Sequence, residues 1–266
     1  MPTMVIIDDP EDMRVAAYRD VRERDLVGRD GLFMAEGLVV LEKMLASSAF
    51  RPLSLLIAAK RIDALAPMLA QVPDDVPIFA AAQPVLDAVA GFPLHRGILA
   101  IGRRIETPSA DALLGSLEGD SDVLLLSAIA NHDNMGGIFR NAAAFGVKAI
   151  LLDADCCDPL YRKAIRVSVG AALLVPFARI ERGEDPLALL ARHGFDTIAL
   201  SPTGASMLSD YAPKRRNAVL LGAEGPGLAP ELLARVASVR IAMASGFDSL
   251  NVATTSGIVL HHLACS

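Results

Sequence analysis

Tryptophan is absent from the 266-residue chain, and phenylalanine and tyrosine bring the aromatic share only to 5%. That leaves few flat side chains on which single-stranded bases could stack. Cysteine is scarce: Cys156, Cys157 and Cys265. An odd count with two neighbours argues against a disulfide framework and fits a reducing cytoplasm. With no Cys-x-x-Cys pair there is no zinc signature, and His261 and His262, adjacent on one helix, point in different directions, so no metal is expected. No run reaches the roughly 18 apolar residues needed to span a bilayer, and no membrane partner is expected. The first residues, Met1 to Asp9, lack a basic stretch before an apolar one and are not expected to form a signal peptide. The dinucleotide fingerprint Gly-x-Gly-x-x-Gly and the Gly-Lys-Ser/Thr phosphate loop are both missing, which removes the main support for a nicotinamide dehydrogenase or a nucleoside triphosphatase.

Hydrophobic residues make up 53% of the chain, enough for a sizeable core, and the net charge is −6. An acidic balance speaks mildly against nucleic acid as a partner, but its distribution weakens the objection. Residues 121–266 carry 13 Lys and Arg against 13 Asp and Glu, with basic clusters at Arg162-Lys163-x-x-Arg166 and Lys214-Arg215-Arg216. Near the N-terminus Arg14, Arg19, Arg22, Arg24 and Arg29 lie close together. Such clusters can contact phosphates on a protein of any net charge. Interleaved with Asp20, Glu23, Asp25 and Asp30, the N-terminal run also reads as a solvated, paired helix face.

The N-terminal part alternates short strands and helices. Asp9 to Arg24 starts as a charged helix; Leu32–Gly37 is a strand into a turn; Val39–Ser47 has helical spacing. Strands follow at Leu53–Ala58, Val76–Ala81 and Gly97–Arg103, with helices at Ile62–Gln71 and Pro84–Ala90. This predicts a small α/β sandwich over residues 1–105. Residues 106–120 form an acidic, Gly- and Pro-containing linker, with a helix over Ala110–Leu117. Over residues 121–266 the alternation restarts with unalternated apolar strands: Val123–Ile129, Lys148–Leu152, Leu173–Pro176, Thr197–Leu200, Ala218–Leu221 and Val239–Met243. That pattern predicts a parallel sheet covered on both faces. Asp158-Pro159 and Asp185-Pro186 read as N-cap and first-turn proline of two helices.

Ligands of open α/β sheets bind outside the C-terminal ends of the strands. Four polar or glycine-rich loops fall there: Asn131–Gly137, Ser201–Gly204, Gly222–Gly227 and Ser245–Asn251. Glu224, inside the third, can accept from backbone N–H groups or pair with an arginine. Arg140 lies on the helix after the first loop; the apolar Ile138, Phe139 and Ala142 around it indicate a substantially buried helix, on which an arginine needs a partner. In the fourth loop Asp248 and Ser249 open the last helix, followed by Asn251, Thr254 and Thr255. A well-capped terminal helix explains these residues; so does a small-molecule site at a helix N-terminus.

Three stretches, Asn134-Met-Gly-Gly-Ile-Phe-Arg140-Asn-Ala-Ala-Ala-Phe-Gly146, Leu221-Gly-Ala-Glu224-Gly-Pro-Gly227-Leu and Ile241-Ala-Met…Ser249-Leu-Asn251-Val, resemble in order and spacing the motifs of the SpoU/TrmH family of RNA ribose 2′-O-methyltransferases. The likeness spans about residues 123–262; His132-Asp133 stands where the family often has Asp-Pro before the Asn. The resemblance implies a deep trefoil knot in the parallel-sheet domain and a homodimer that shares its active sites. The first domain is similar, less specifically, to an RNA-binding domain carried by some members. It also implies methyl transfer from S-adenosylmethionine to a ribose 2′-hydroxyl of ribosomal or transfer RNA. Arg140, Glu224, Ser249, Asn251 and Asn134 would be catalytic. Leu200, Ser201, Gly204, Gly222, Glu224, Gly225, Ile241, Met243, Ser249 and Leu250 would hold the cofactor. Arg162, Lys163, Arg166, Arg22 and Arg24 would contact RNA. A non-catalytic RNA-binding protein of this fold, or a methyltransferase for a small nucleotide-like substrate, are the alternatives.

Overall fold

In the computed structural model, residues 2–19, 31–223, 225, 227–245 and 249–265 are described. The chain divides into two compact units, Met1–Glu106 with Leu160–Leu173, and Thr107–Pro159 with Leu174–Ser266. In chain order, β1 (Met4–Ile7), a 3-10 helix (Met13–Tyr18), β2 (Leu32–Glu36), α1 (Leu38–Ala46), β3 (Phe50–Ala58), α2 (Ile62–Leu69), β4 (Ile78–Ala81), α3 (Gln83–Ala90) and β5 (Ile98–Arg104) build the first unit. They are followed by α4 (Ala110–Gly115), β6 (Ser121–Leu126), α5 (His132–Ala144) and β7 (Ala149–Leu152) of the second. The chain then contributes α6 (Arg162–Val167) to the first unit. It completes the second with β8 (Phe177–Arg179), α7 (Pro186–Arg192), β9 (Asp196–Leu200), β10 (Ser206–Met207), β11 (Arg216–Leu221), α8 (Pro230–Leu233), β12 (Ala237–Arg240) and α9 (Val252–Ala264).

The first unit is a mixed sheet in the order β1-β4-β3-β5-β2, in which β5 runs antiparallel to both its neighbours. Leu55, Leu56, Ile57 and Ala58 are all fully buried, which is why β3 shows no polar alternation: both its faces are covered. The Tyr18 hydroxyl, inside the core, meets Ser54 Oγ at 2.7 Å, and burial pushes its pKa up. The second unit holds a seven-stranded sheet in the order β10-β12-β9-β11-β6-β7-β8, every pair parallel. One face carries a cluster built from Val123, Leu125, Leu151, Leu190 and Leu220, onto which Leu113 and Leu114 of α4 pack.

Several expectations shift. The Asp9–Arg24 helix is, as far as Arg19, a 3-10 helix that buries Val15 and Tyr18; residues 20–30 lie outside the described chain. β1 was not expected from the sequence. All four of its residues, Met4 to Ile7, are apolar, though Ile6 is 58% exposed. Asp158-Pro159 does not open a helix: α6 starts at Arg162, capped by no side chain, and the Asp158 carboxylate lies 3.7 Å from Arg179. The strand expected at Leu173–Pro176 begins only at Phe177, after a 3-10 turn at Ala171–Leu173. Likewise β12 ends at Arg240, so Ile241 and Met243 follow it rather than belong to it.

Phe139 of α5 is fully buried and meets Phe177 of β8 edge to face, ring centroids 5.6 Å apart. Replacing Phe139 with Ala is expected to destabilise the second unit by about 3–5 kcal/mol, read as a lowered midpoint in urea unfolding; a loss below about 1 kcal/mol would mean that the neighbours collapse into the space.

Candidate active site

Parallel pairing brings the C-terminal ends of β12, β9, β11 and β6 side by side, so the four loops lie along one edge of the second unit's sheet. A cavity of about 630 Å³ opens there, inside the ~300–1,000 Å³ range of small-molecule sites. Leu200 and Ser201 at the end of β9, Gly222 and Gly225 after β11, Ile241 and Met243 after β12, and Ser249, Leu250 and Asn251 before α9 all line it. Thr203, Leu221, Leu228 and Thr255 complete much of the wall, so apolar surface alternates with hydroxyl and amide groups.

The β11 loop folds back on itself. Ala223 and Gly227 form an isolated antiparallel bridge, with Gly227 N donating to Ala223 O at 3.1 Å. A Cβ at Gly222 would stand 2.5 Å from the Gly227 carbonyl carbon and from Leu228 N, so the turn closes only over a glycine. Glu224 lies outside the described residues. Gly204 does not line the cavity; it is pressed against β12, where a Cβ would lie 2.4 Å from the Val239 carbonyl carbon. This packing lets Ser201 N reach Val239 O at 3.1 Å and so sets the β9 loop beside β12.

Asn251, not Asp248 or Ser249, caps α9. Its Oδ1 accepts from Ala253 N at 2.9 Å and Thr254 N at 3.2 Å. Its Nδ2 donates to Oδ1 of Asn134 at 2.9 Å. Ser249 is exposed at the cavity, and Asp248 is outside the described residues. Asn134 itself is buried within the first turn of α5, which Asn131 caps. Thus the first and third sequence stretches meet through two carboxamides at the cavity's rim. Below them α5 and α9 pack closely: a Cβ at Gly137 would come within 2.7 Å of Ala253 Cβ. Asn141 Nδ2 donates to Ala253 O at 2.7 Å and to Ser256 Oγ at 2.9 Å.

Arg140 departs from expectation. α5 buries Asn134, Met135, Ile138, Phe139 and Ala142, but Arg140 points away from that face and is exposed. Among the described residues it has no ion pair, because an amphipathic helix that buries one stripe leaves the opposite one to solvent. Arg162, Lys163 and Arg166 belong to the first unit. Arg162 lies 3.5 Å from Glu36 Oε2, while Lys163 and Arg166 are exposed. Arg22 and Arg24 are outside the described residues. No group of His, Cys, Asp and Glu among the described residues could hold a metal.

Two residues were not singled out from the sequence. One is Asn141, the bridge between α5 and α9. The other is Asp153, which follows β7 and holds the segment that leads into α5. Its Oδ2 accepts from Ser127 Oγ at 2.8 Å and from Ala128 N at 2.9 Å. Its Oδ1 accepts from Asp155 N at 3.0 Å and Cys156 N at 2.9 Å. Ala128 has φ 55, a left-handed conformation that a non-glycine residue holds only when its surroundings impose it. Cys156 Sγ adds a contact from Ile129 N at 3.3 Å and donates to Leu126 O at 3.3 Å. Asp followed by small polar residues after a strand is an Asx-turn signal, and it was available in Leu152-Asp153-Ala-Asp155-Cys156.

Comparison with known proteins agrees with this geometry. Residues 122–261 match the SpoU rRNA Methylase family. An uncharacterized tRNA/rRNA methyltransferase of Mycobacterium bovis is 40% identical over 263 residues, 95% of this chain and 89% of that one. The 23S rRNA (guanosine-2′-O-)-methyltransferase RlmB of Acinetobacter baylyi is 28% identical over 73% of this chain and 79% of its own length. Among solved structures, the AdoMet-bound rRNA methyltransferase of Sinorhizobium meliloti superposes with a TM-score of 0.81 at 22% identity, covering 98% of this chain and 97% of that one. The protein belongs to the SpoU methylase family.

The Asn251 carboxamide caps α9 and also reaches Asn134, so Asn251→Ala removes the cap together with the tie, whereas Asn134→Ala leaves the cap in place. Urea unfolding should show a cost of about 2 kcal/mol for the first and about 1 kcal/mol for the second; equal costs would show that the cap adds nothing. Burial pushes the Cys156 thiol up to about 12 and the Cys157 thiol up to about 11, whereas Cys265 is exposed. Iodoacetamide at mildly alkaline pH should therefore alkylate Cys265 alone in the folded protein, and mass spectrometry finding Cys156 modified at a similar rate would contradict the packing of the Asp153 segment.

Proposed function

We propose that the protein transfers the methyl group of S-adenosylmethionine to a ribose 2′-hydroxyl of ribosomal or transfer RNA. The observation that carries this reading is the Asn251–Asn134 hydrogen bond at the rim of the cavity, which joins the first and third motifs where the glycine turn of the second forms the wall. The names of the relatives support the chemistry and the substrate class, and the AdoMet-bound neighbour supports the cofactor.

The cavity's chemistry fits that cofactor. Leu221, Leu228, Ile241 and Met243 offer apolar surface for an adenine, and Ser201, Thr203 and Asn251 offer partners for a ribose. At Gly222 bare backbone faces the cavity, since the turn admits no Cβ there. When bound, the cofactor supplies a methyl group activated by its sulfonium. The chain's own task is alignment for an in-line displacement, and positioning alone accounts for much of such a rate. Asn134 and Asn251 fix each other's carboxamides at the site. Arg140, exposed and unpaired among the described residues, clamps the phosphate beside the target ribose and stabilises the developing alkoxide; a guanidinium does not act as a base at neutral pH.

The reading includes a homodimer through the second unit, with Arg140 placed where a second copy or the RNA can engage it, and the family's trefoil knot. Insertion of β11 between β9 and β6 before the chain returns to β12 is the strand order that supports the knot. The first unit is the RNA-binding part.

Labelled S-adenosylmethionine incubated with ribosomal and transfer RNA fractions, taken from a strain lacking the protein, should label one fraction at an alkali-resistant linkage. Arg140→Ala should reduce the rate by about 100- to 1,000-fold with cofactor binding unchanged by calorimetry. Arg140→Lys should fall nearly as far, because it keeps the charge but loses the two-pronged contact. A lysine variant at near-full rate would remove the clamp, and an absence of label in every fraction would remove the RNA reading.

A further inference from the structure

Four donors converge on the carboxylate of Asp153. Three are the backbone N–H groups of Ala128, Asp155 and Cys156, and the fourth is the Ser127 hydroxyl, each at 3.0 Å or less. The two oxygens act on different segments. Oδ1 closes the turn that follows β7, while Oδ2 reaches across to the chain between β6 and α5. That connection is also held by its other neighbours. Ser127 N donates to Leu221 O, at the end of β11, at 2.9 Å. Ile129 N lies 3.3 Å from Cys156 Sγ, and Ile129 O accepts from Cys157 N at 2.9 Å. Ala130 alone then separates Ile129 from Asn131, the cap of α5.

The chain bends at Ala128, inside this brace, with φ 55. A residue that carries a Cβ stays in the left-handed region only when its surroundings hold it there, and the Ala128 N–H is one of the four groups that Asp153 binds. The conformation of Ala128 therefore sets the direction in which the chain enters α5. That helix carries Asn134 in its first turn and Arg140 further along. The cavity wall has a different origin. It is built from the loops after β9, β11 and β12 and from the start of α9, with no residue between 127 and 153 in it. Loss of the brace thus moves the groups on α5 and leaves the cavity's lining in place.

We propose that Asp153 is a positioning residue for methyl transfer: by holding Ala128 in the left-handed conformation it aims α5, and with it Asn134 and Arg140, at the reacting atoms. It acts through the backbone rather than by contact with cofactor or RNA. The proposal rests on the RNA methyltransferase reading.

Asp153→Asn separates the two halves of the network. The amide oxygen can still accept from Asp155 N and Cys156 N, but the amide nitrogen then faces Ala128 N, donor against donor. The test compares full-length wild type, Asp153→Asn and the double variant Asp153→Asn, Ala128→Gly. Methyl transfer from labelled S-adenosylmethionine to ribosomal and transfer RNA fractions is measured well below the thermal midpoint of each protein. Asp153→Asn should lower kcat by about 10- to 100-fold, the scale of a misplacement of about 1 Å, and should bind S-adenosylmethionine as tightly as wild type by calorimetry. Adding Ala128→Gly should recover most of the lost kcat, because glycine adopts the left-handed conformation without being held there. A residue that served the fold alone would lower the midpoint and leave kcat of the folded protein intact. If Asp153→Asn does not fold, Ser127→Ala takes its place: it removes a single bond to the carboxylate, and the fall in kcat should be smaller with the same recovery by glycine. An unchanged kcat, a parallel loss of cofactor affinity, or a loss that glycine does not recover would each overturn the proposal while leaving the methyltransferase reading intact. A wild type that binds S-adenosylmethionine and labels neither RNA fraction would overturn both.

Discussion

The carboxamide of Asn251 has one oxygen and one N–H₂ group, and the structure engages both in fixed directions. The oxygen satisfies two of the free N–H groups that any helix start leaves open. The nitrogen spans to a residue 117 positions earlier in the chain, Asn134. A helix cap and a tertiary tie therefore reside in a single planar group, and the planarity couples them: the amide cannot rotate to improve one contact without losing the other. Glycine and alanine along α5 and α9 make the tie possible, because Gly137 lets Ala253 approach closely. A larger residue there would separate the two helices and pull the carboxamides apart.

The parallel sheet supplies the rest of the site's precision. Adjacent strands β12, β9, β11 and β6 hold their loops side by side at separations set by backbone hydrogen bonding. Each loop is then trimmed locally: Gly204 against β12, Gly222 over Gly227, and Asp153 bracing Ala128. The cavity wall is made of residues that these contacts leave facing inward, and none of the trimming contacts itself requires a ligand. The site is preorganised by packing, the condition under which binding energy can go into alignment.

Much of this could be read from the chain. Unalternated apolar runs identified the parallel strands, and three motifs located the loops that line the cavity. What escaped has physical reasons. Ile241 and Met243 look like strand residues because apolarity is the same signal whether a side chain faces a sheet core or a ligand cavity. Asp248, Ser249 and Asn251 are all competent caps, and the choice among them depends on Asn134, far away in sequence. The apolar neighbours of Arg140 imply a substantially buried helix on which the arginine needs a partner, yet a helix turns about 100° per residue and can bury them while leaving Arg140 exposed. The pairing of Glu36 with Arg162 depends on which elements become neighbours, which composition does not encode.

The contribution of Leu160–Leu173 to the first unit has a consequence for biosynthesis. Lys43 of α1 donates to the Val169 carbonyl at 2.5 Å, and Arg162 covers Phe92 and meets Glu36. The Arg162 contacts cannot form until translation has passed residue 162, nor the Lys43 contact until it has passed residue 169, by which point β6, α5 and β7 of the other unit have already been synthesised. The amino-terminal unit cannot mature ahead of the remainder in the vectorial manner usual for tandem domains. Its last helix arrives late, and a ribosome-bound nascent chain halted before residue 162 would carry Phe92 and Glu36 without their Arg162 contacts.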